Sequence, residues 1–409
     1  MRQRLEVEAA VTPRGVVAPA AVLVDGGVIA AVGTPAEIGD VDVPAERHAG
    51  TLVPGFVDLQ VNGIGGHQYG AGQAGLRATA SALLASGVTA HCPTITTRAW
   101  DRYPDAFAAL GAPPGAPAPG SLGPQIEGPL LSPRQAGAHD VAAPGAPPGA
   151  PAPRSLGLHL EGPFLSPRQA GAHDVAALVE PSAARVEELL AWADHDVAIV
   201  TLAPELPGAG AAIGLLRAAG VVVSAGHTDA TYEQLRTAVD AGVSMVTHVF
   251  NAQRGLGHRE PGTAGAALLL DQLDVGIILD RVHVHAELAA LVLSITAGRV
   301  FAVTDAVATA GLPPARYEFD GVAVDTTSGA PRLADGTLAG SNLTMDAAFR
   351  FVAACRGLVD AVAATATTPA RAIGRDDLGV LAPGAAADLV LLDDDLQVAA
   401  VWRDGVPVA

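Results

Sequence analysis

Eight short apolar runs punctuate the middle of this 409-residue chain, at 55–61, 87–92, 156–161, 197–203, 221–226, 243–249, 275–279 and 300–305. Apolar runs without polar alternation suit strands buried on both faces, the situation inside a parallel sheet. Parallel neighbours need long crossovers rather than tight hairpins, and helix-length stretches at 74–86, 181–193, 229–241 and 286–297 can supply them. Eight β-then-α units in succession predict an α/β fold, a (β/α)8 TIM-like barrel over residues 54–375.

The two chain ends follow another pattern. Residues 1–53 hold short strand-like segments, with Gly26-Gly27 turning Ala21–Val24 back into Val28–Val32. Residues 376–409 repeat the style, with strand patterns at Ala387–Leu392 and Val398–Trp402 before an Asp404-Gly405 turn. The ends are expected to close together as one small β-sandwich domain, with the barrel inserted between them.

Composition narrows the function classes. Half of the residues are hydrophobic, enough apolar surface for a globular enzyme rather than a disordered chain. The net charge of −18 argues against a nucleic-acid partner, which needs a basic footprint. Cys92 and Cys355 form neither a disulfide framework nor a metal pair, so a reducing compartment is expected. No signal-like segment opens the chain, and Asp25 interrupts the apolar run of residues 16–32. A cytoplasmic protein with no membrane partner is the expectation.

In a barrel every strand C-terminus opens onto one face, where residues remote in sequence meet. The runs end in Gln60 and Asn62, Glu161, Glu205, His227, His248, Asp280 and Asp305. A single histidine at a strand end is more often a satisfied core residue than a ligand. Together, though, Glu161, His227 and His248 form a carboxylate-and-imidazole set suited to one divalent transition metal such as zinc, with a coordination position left open. Asp305 lies where a carboxylate could take a proton from water and pass it to a leaving amine. In so acidic a chain, the loop around Arg254 and Arg259 suggests a bound anion, because a guanidinium fork suits phosphate. His283 could add a second contact; for Arg254 a surface ion pair is the better expectation.

The ordered motifs resemble those of the N-acetylglucosamine-6-phosphate deacetylases of the amidohydrolase superfamily. They are Pro54-Gly-Phe-Val-Asp-Leu-Gln-Val-Asn-Gly63, His159-Leu-Glu-Gly-Pro163, Gly226-His-Thr-Asp229, Thr247-His-Val-Phe-Asn-Ala252, His258-Arg-Glu-Pro-Gly262, Val303-Thr-Asp305, Leu338-Ala-Gly-Ser341 and Pro383-Gly-Ala-Ala-Ala-Asp388-Leu. The resemblance covers nearly the whole chain. It implies hydrolytic removal of the acetyl group from N-acetylglucosamine 6-phosphate, an amino-sugar phosphate. Glu161, His227 and His248 would be the metal ligands, Asp305 the acid/base, and His173 the group polarising the acetyl carbonyl. Asn251, Ala252, Arg259 and His283 would hold the sugar phosphate, with Ala172, Ala339 and Gly340 lining the sugar. It further implies a homodimer in which Arg259 reaches the neighbouring site. Where many amidohydrolases carry His-x-His, this chain has Gln60-Val-Asn62, which favours one metal over two; His67 just beyond is a further ligand candidate. The alternatives are another N-acetyl-sugar-phosphate or N-acyl-amino-acid amidohydrolase, or a non-catalytic sugar-phosphate sensor.

One sequence anomaly falls on the site itself. Residues 111–144 and 145–178 align without a gap at an offset of 34, with six differences. Two copies are too few for a solenoid, so a tandem duplication is inferred. Glu127 and His139 echo Glu161 and His173, but Pro124-Gln125-Ile126 stands where the second copy has Leu158-His159-Leu160. Proline removes a ladder donor, so the second copy is expected to form the strand and residues 111–144 to be a dispensable surface insertion.

Overall fold

The computed structural model describes residues 2–39, 41–69, 72–110, 153–194, 196–319 and 322–408. The first copy of the duplication, 111–144, lies outside the described residues, as do 145–152 of the second.

All eight apolar runs form strands: β1 Phe56–Val61, β2 Val88–Thr96, β3 Leu158–Glu161, β4 Val197–Leu202, β5 Val222–Ala225, β6 Val243–Val246, β7 Asp274–Ile277 and β8 Val300–Ala302. They pair in parallel and in chain order from β1 to β8. Every residue of β1, β3 and β4 is buried, which explains why those runs lack polar alternation. Beyond the regular strands, the seam from β8 back to β1 closes through Asp305 N–H to the Gln60 carbonyl and Asn62 N–H to the Ala306 carbonyl, both 2.8 Å. The buried Asp58 carboxylate reinforces it, accepting the Thr304 hydroxyl at 2.5 Å and the Thr304 N–H at 3.2 Å.

The expected helices are present as Gly72–Ala85, Ala183–Trp192, Tyr232–Ala241 and Ala286–Ile295. Local chemistry sets their ends. Ser182 caps the second by accepting Arg185 N–H, and Thr231 with Gln234 forms a capping box on the third. Gly242, at φ 126°, stops that helix in a backbone conformation costly for any other residue. Helices Ala209–Ala218 and Gly262–Leu269 also flank the barrel. Their sequences are rich in alanine and glycine, so they carry little periodic contrast to read.

The chain ends share one mixed eight-stranded sheet. Leu389–Leu392 from the C-terminus lies antiparallel to Ala45–Pro54, which lies parallel to Arg2–Thr12. An apolar cluster of its own, including Leu5, Val22, Ile29, Leu52, Leu389 and Trp402, lies under this sheet. Ala45–Pro54 then runs into β1 through Gly55, where an added Cβ would sit 2.1 Å from Thr89 Oγ1. Among the described residues no helix is long and apolar enough to cross a membrane.

Candidate active site

Glu161, the last residue of β3, is the hub. Its Oε1 lies 3.0 Å from His227 Nε2, 2.9 Å from His248 Nε2 and 3.0 Å from Gln60 Nε2. On the carboxylate's other side, His173 Nε2 is 3.9 Å from Oε2. Burial opposes ionisation of Glu161, but hydrogen bonds and positive charge supplied from the Nε2 side of His227 and His248 outweigh it and hold the carboxyl well below its usual range, so this oxygen calls for a proton or a cation against it. Burial, assisted by His227 alongside, pushes His173 down to about 4, so that ring is neutral.

Hydrogen bonding shows what the cluster is suited to hold. His227 Nδ1 is 3.0 Å from the Gln169 carbonyl, which can only accept, so the proton of a neutral ring sits on Nδ1. Nε2 then presents a lone pair to a carboxylate oxygen 3.0 Å away. Two acceptors held face to face call for a cation between them. Glu161, His227 and His248 therefore fit a divalent ion, and ligand atoms of Glu161, His173 and His227 all lie within 4.8 Å of one another. His173 thus stands beside the expected ligands, although its Nε2 is farther from Glu161 (3.9 Å) than those of His227 and His248. His67 is exposed, in a two-residue strand paired with Gly63–Ile64, and is not part of this cluster.

Asp305 follows β8 and faces the hub. Asn62 Nδ2 donates to its Oδ1 at 2.8 Å, and Gln60 Nε2 stands 3.4 Å from the same atom. Gln60 thus lies between both carboxylates, a link that two polar residues at a strand end did not reveal. Burial first, and the Glu161 charge second, push Asp305 up to about 8.

The expected substrate residues divide into two groups. An added Cβ on Gly171 would sit 3.2 Å from His227 and 3.5 Å from Ala252 Cβ, so the turn carrying Ala172 adjoins both. Ala252 accepts Thr228 N–H, and Asn251 Nδ2 donates to the His248 and Val249 carbonyls. Gly340 packs on Asp305, whose carbonyl would lie 2.8 Å from an added Cβ, and Ala339 N–H bonds Pro331. Arg259, by contrast, is exposed, and His283 is paired with Asp280 at 2.7 Å. Arg254 makes the expected ion pair, 2.9 Å from Asp229. Glu205 is occupied in anchoring the loop after β5, accepting Asp229 N–H at 2.7 Å and the Thr228 hydroxyl.

The second copy of the duplication occupies the barrel, and its differences from the first explain why it fits. Leu158 and Leu160 are buried in β3. His159, replacing Gln125, joins the Leu59 carbonyl (2.9 Å) to the Thr201 hydroxyl (2.8 Å) inside the barrel. Phe164, replacing Leu130, is fully buried with its ring 6.3 Å from Trp100. Arg154, replacing Gly120, reaches Asp404 at 2.8 Å and Asp388 at 3.7 Å on the terminal sheet.

The family model described as "Amidohydrolase family" matches residues 51–408, and the chain belongs to that family. Among curated relatives, the N-acetylgalactosamine-6-phosphate deacetylase of Escherichia coli O157:H7 is 33% identical over 366 residues, covering 88% of each chain. The N-acetylglucosamine-6-phosphate deacetylase of Lysinibacillus sphaericus is 30% identical, over 84% of this chain and 82% of its own. Among solved structures, a variant of the Mycobacterium smegmatis N-acetyl-D-glucosamine-6-phosphate deacetylase bound to N-acetyl-D-glucosamine-6-phosphate superposes with a TM-score of 0.85 at 32% identity. That match covers 100% of this chain and 99% of the other.

Proposed function

We propose that the chain is a metal-dependent hydrolase that removes the acetyl group from N-acetyl-D-glucosamine 6-phosphate, giving D-glucosamine 6-phosphate and acetate. One observation carries the reading: a lone-pair-bearing His227 and a buried carboxylate converge at 3.0 Å, and a second carboxylate, Asp305, is hung beside them from Gln60 and Asn62. Glu161, His227 and His248 would hold one divalent ion, zinc or another transition metal. Bound there, it would supply Lewis acidity to an oxygen brought against it.

The remaining work falls to protein groups. A neutral His173 has one ring proton to donate to the acetyl oxygen as negative charge develops on it. Asp305 takes the proton of the attacking water and returns it to the departing nitrogen, the role for which a carboxylate with a raised pKa is suited. Asn251, Ala252, Arg259 and His283 hold the phosphate, and Ala172, Ala339 and Gly340 line the sugar. The active assembly is a homodimer, with residues 54–375 as the catalytic domain and 1–53 with 376–409 as the β-domain.

The 33% identity to an N-acetylgalactosamine-6-phosphate deacetylase favours the 4-epimer as the competing substrate. Acetate release is therefore to be measured with both phosphorylated sugars and with unphosphorylated N-acetylglucosamine, beside metal analysis of the purified protein. Turnover of the gluco phosphate with about one ion per chain is expected. Faster release from the galacto epimer would reassign the substrate, and equal rates with and without phosphate would overturn the reading.

A further inference from the structure

The loop after β7 builds a carboxylate–imidazole pair that takes no part in the acyl chemistry. Asp280 Oδ1 accepts the N–H groups of Val282 (2.9 Å) and His283 (2.8 Å), while Oδ2 faces His283 Nδ1 at 2.7 Å. The side chains are only 12% and 5% exposed. Between them Arg281 adopts φ 65°, a left-handed conformation that is strained for a non-glycine residue. Burial would suppress the Asp280 charge, yet the hydrogen bonds from His283 and the loop amides hold its carboxyl below the usual value.

An ionised carboxylate only accepts, so the proton on His283 Nδ1 is held and the ring plane is set. Among the described residues no hydrogen bond or ion pair engages Nε2. We propose that Asp280 is a positioning residue for the substrate's phosphate, holding the His283 ring so that Nε2–H meets a phosphate oxygen. The proposal rests on the deacetylase reading above, with His283 as a phosphate contact. When phosphate docks, the ring lies between two acceptors, and the imidazolium is the form that donates to both. Carboxylate, imidazolium and phosphate then alternate in charge, and both hydrogen bonds are charge-assisted. A neutral amide at 280 would remove the charge and the fixed acceptor together.

The test is steady-state kinetics of the metal-loaded enzyme, wild type, Asp280→Asn, His283→Gln and the double variant, on phosphorylated and unphosphorylated N-acetylglucosamine. Asp280→Asn is expected to lower the preference for the phosphorylated sugar about tenfold through KM rather than kcat. His283→Gln should do at least as much, and adding Asp280→Asn to it should cost nothing more, because Asp280 acts through the ring. Equal losses on both sugars, or full additivity in the double variant, would overturn the proposal. If Asp280→Asn fails to fold, an unchanged phosphate preference in His283→Gln would overturn it independently. A wild type indifferent to the phosphate would remove the deacetylase reading first, and this proposal with it.

Discussion

Three residues that close the barrel strands share a backbone state foreign to ordinary side chains. His227, His248 and Asp305 have φ of 47°, 28° and 46°, in or near the left-handed region. Such positions cost about 1–3 kcal/mol each in non-glycine residues and persist where surrounding bonds over-determine them. Here the bonds are visible: Asp305 N–H is tied to Gln60 and its carbonyl accepts Ser341 N–H at 2.8 Å. The result is direction, because the turn brings each side chain inward to the Glu161 hub instead of leaving it on one of the two alternating faces of the strand. Asp305→Asn keeps the shape of the side chain but cannot take a proton. It should bind metal and substrate yet lose about 10²–10⁴-fold in kcat. Metal content and single-turnover kinetics check this, and near-normal turnover would remove Asp305 from its role.

The seam between β1 and β8 illustrates how an element can carry a pH dependence. Burial pushes the Asp58 carboxyl from its ordinary 3.8 up to about 7, against hydrogen bonds from Thr304 and Gln60. The folded state therefore binds this proton more tightly than the unfolded chain. Below about pH 4 both states are protonated and the group is neutral in its effect. As pH rises toward 7 the folded barrel must ionise a buried acid, so this group's contribution falls, then levels off. Asp58→Asn cannot titrate. Its unfolding free energy, measured in denaturant on metal-free protein between about pH 5 and about pH 7, should decline less steeply than that of wild type. Parallel slopes would show that Asp58 is not the source.

At the scale of the whole molecule, Arg154 links the start of the second copy to the terminal sheet. Its guanidinium is 13% exposed, against an Asp388 side chain at 3%. Arg154→Gly installs the residue of the first copy and leaves Asp388 without its nearest cation. A loss of about 1–3 kcal/mol is expected, below the range for breaking a fully buried pair because Asp404 is partly exposed. Chemical denaturation would measure it, and an unchanged midpoint would show the bridge to be idle. Deleting residues 111–144 should, in contrast, leave acetate release and metal content intact, since the second copy supplies β3, Glu161 and His173. Loss of either would make the first copy structural.

The barrel was legible because its evidence is local. Continuous apolar runs mark strands buried on both faces, and chain order then forces Glu161, His227, His248 and Asp305 onto one rim. The proline at 124 likewise disfavours the first copy without any structure. Other features depend on contacts across the fold. Gln60 meets Glu161 across 101 residues and Asp305 across 245, and His159 reaches back 100 residues to Leu59. Neither the left-handed turns nor the pairing of Asp280 with His283 leaves a periodic trace, since each depends on a loop path rather than a residue pattern. Hydrophobic periodicity encodes which face of a segment is buried. Which hydrogen-bond partners meet there is set only when distant strands are brought within about 3 Å of one another.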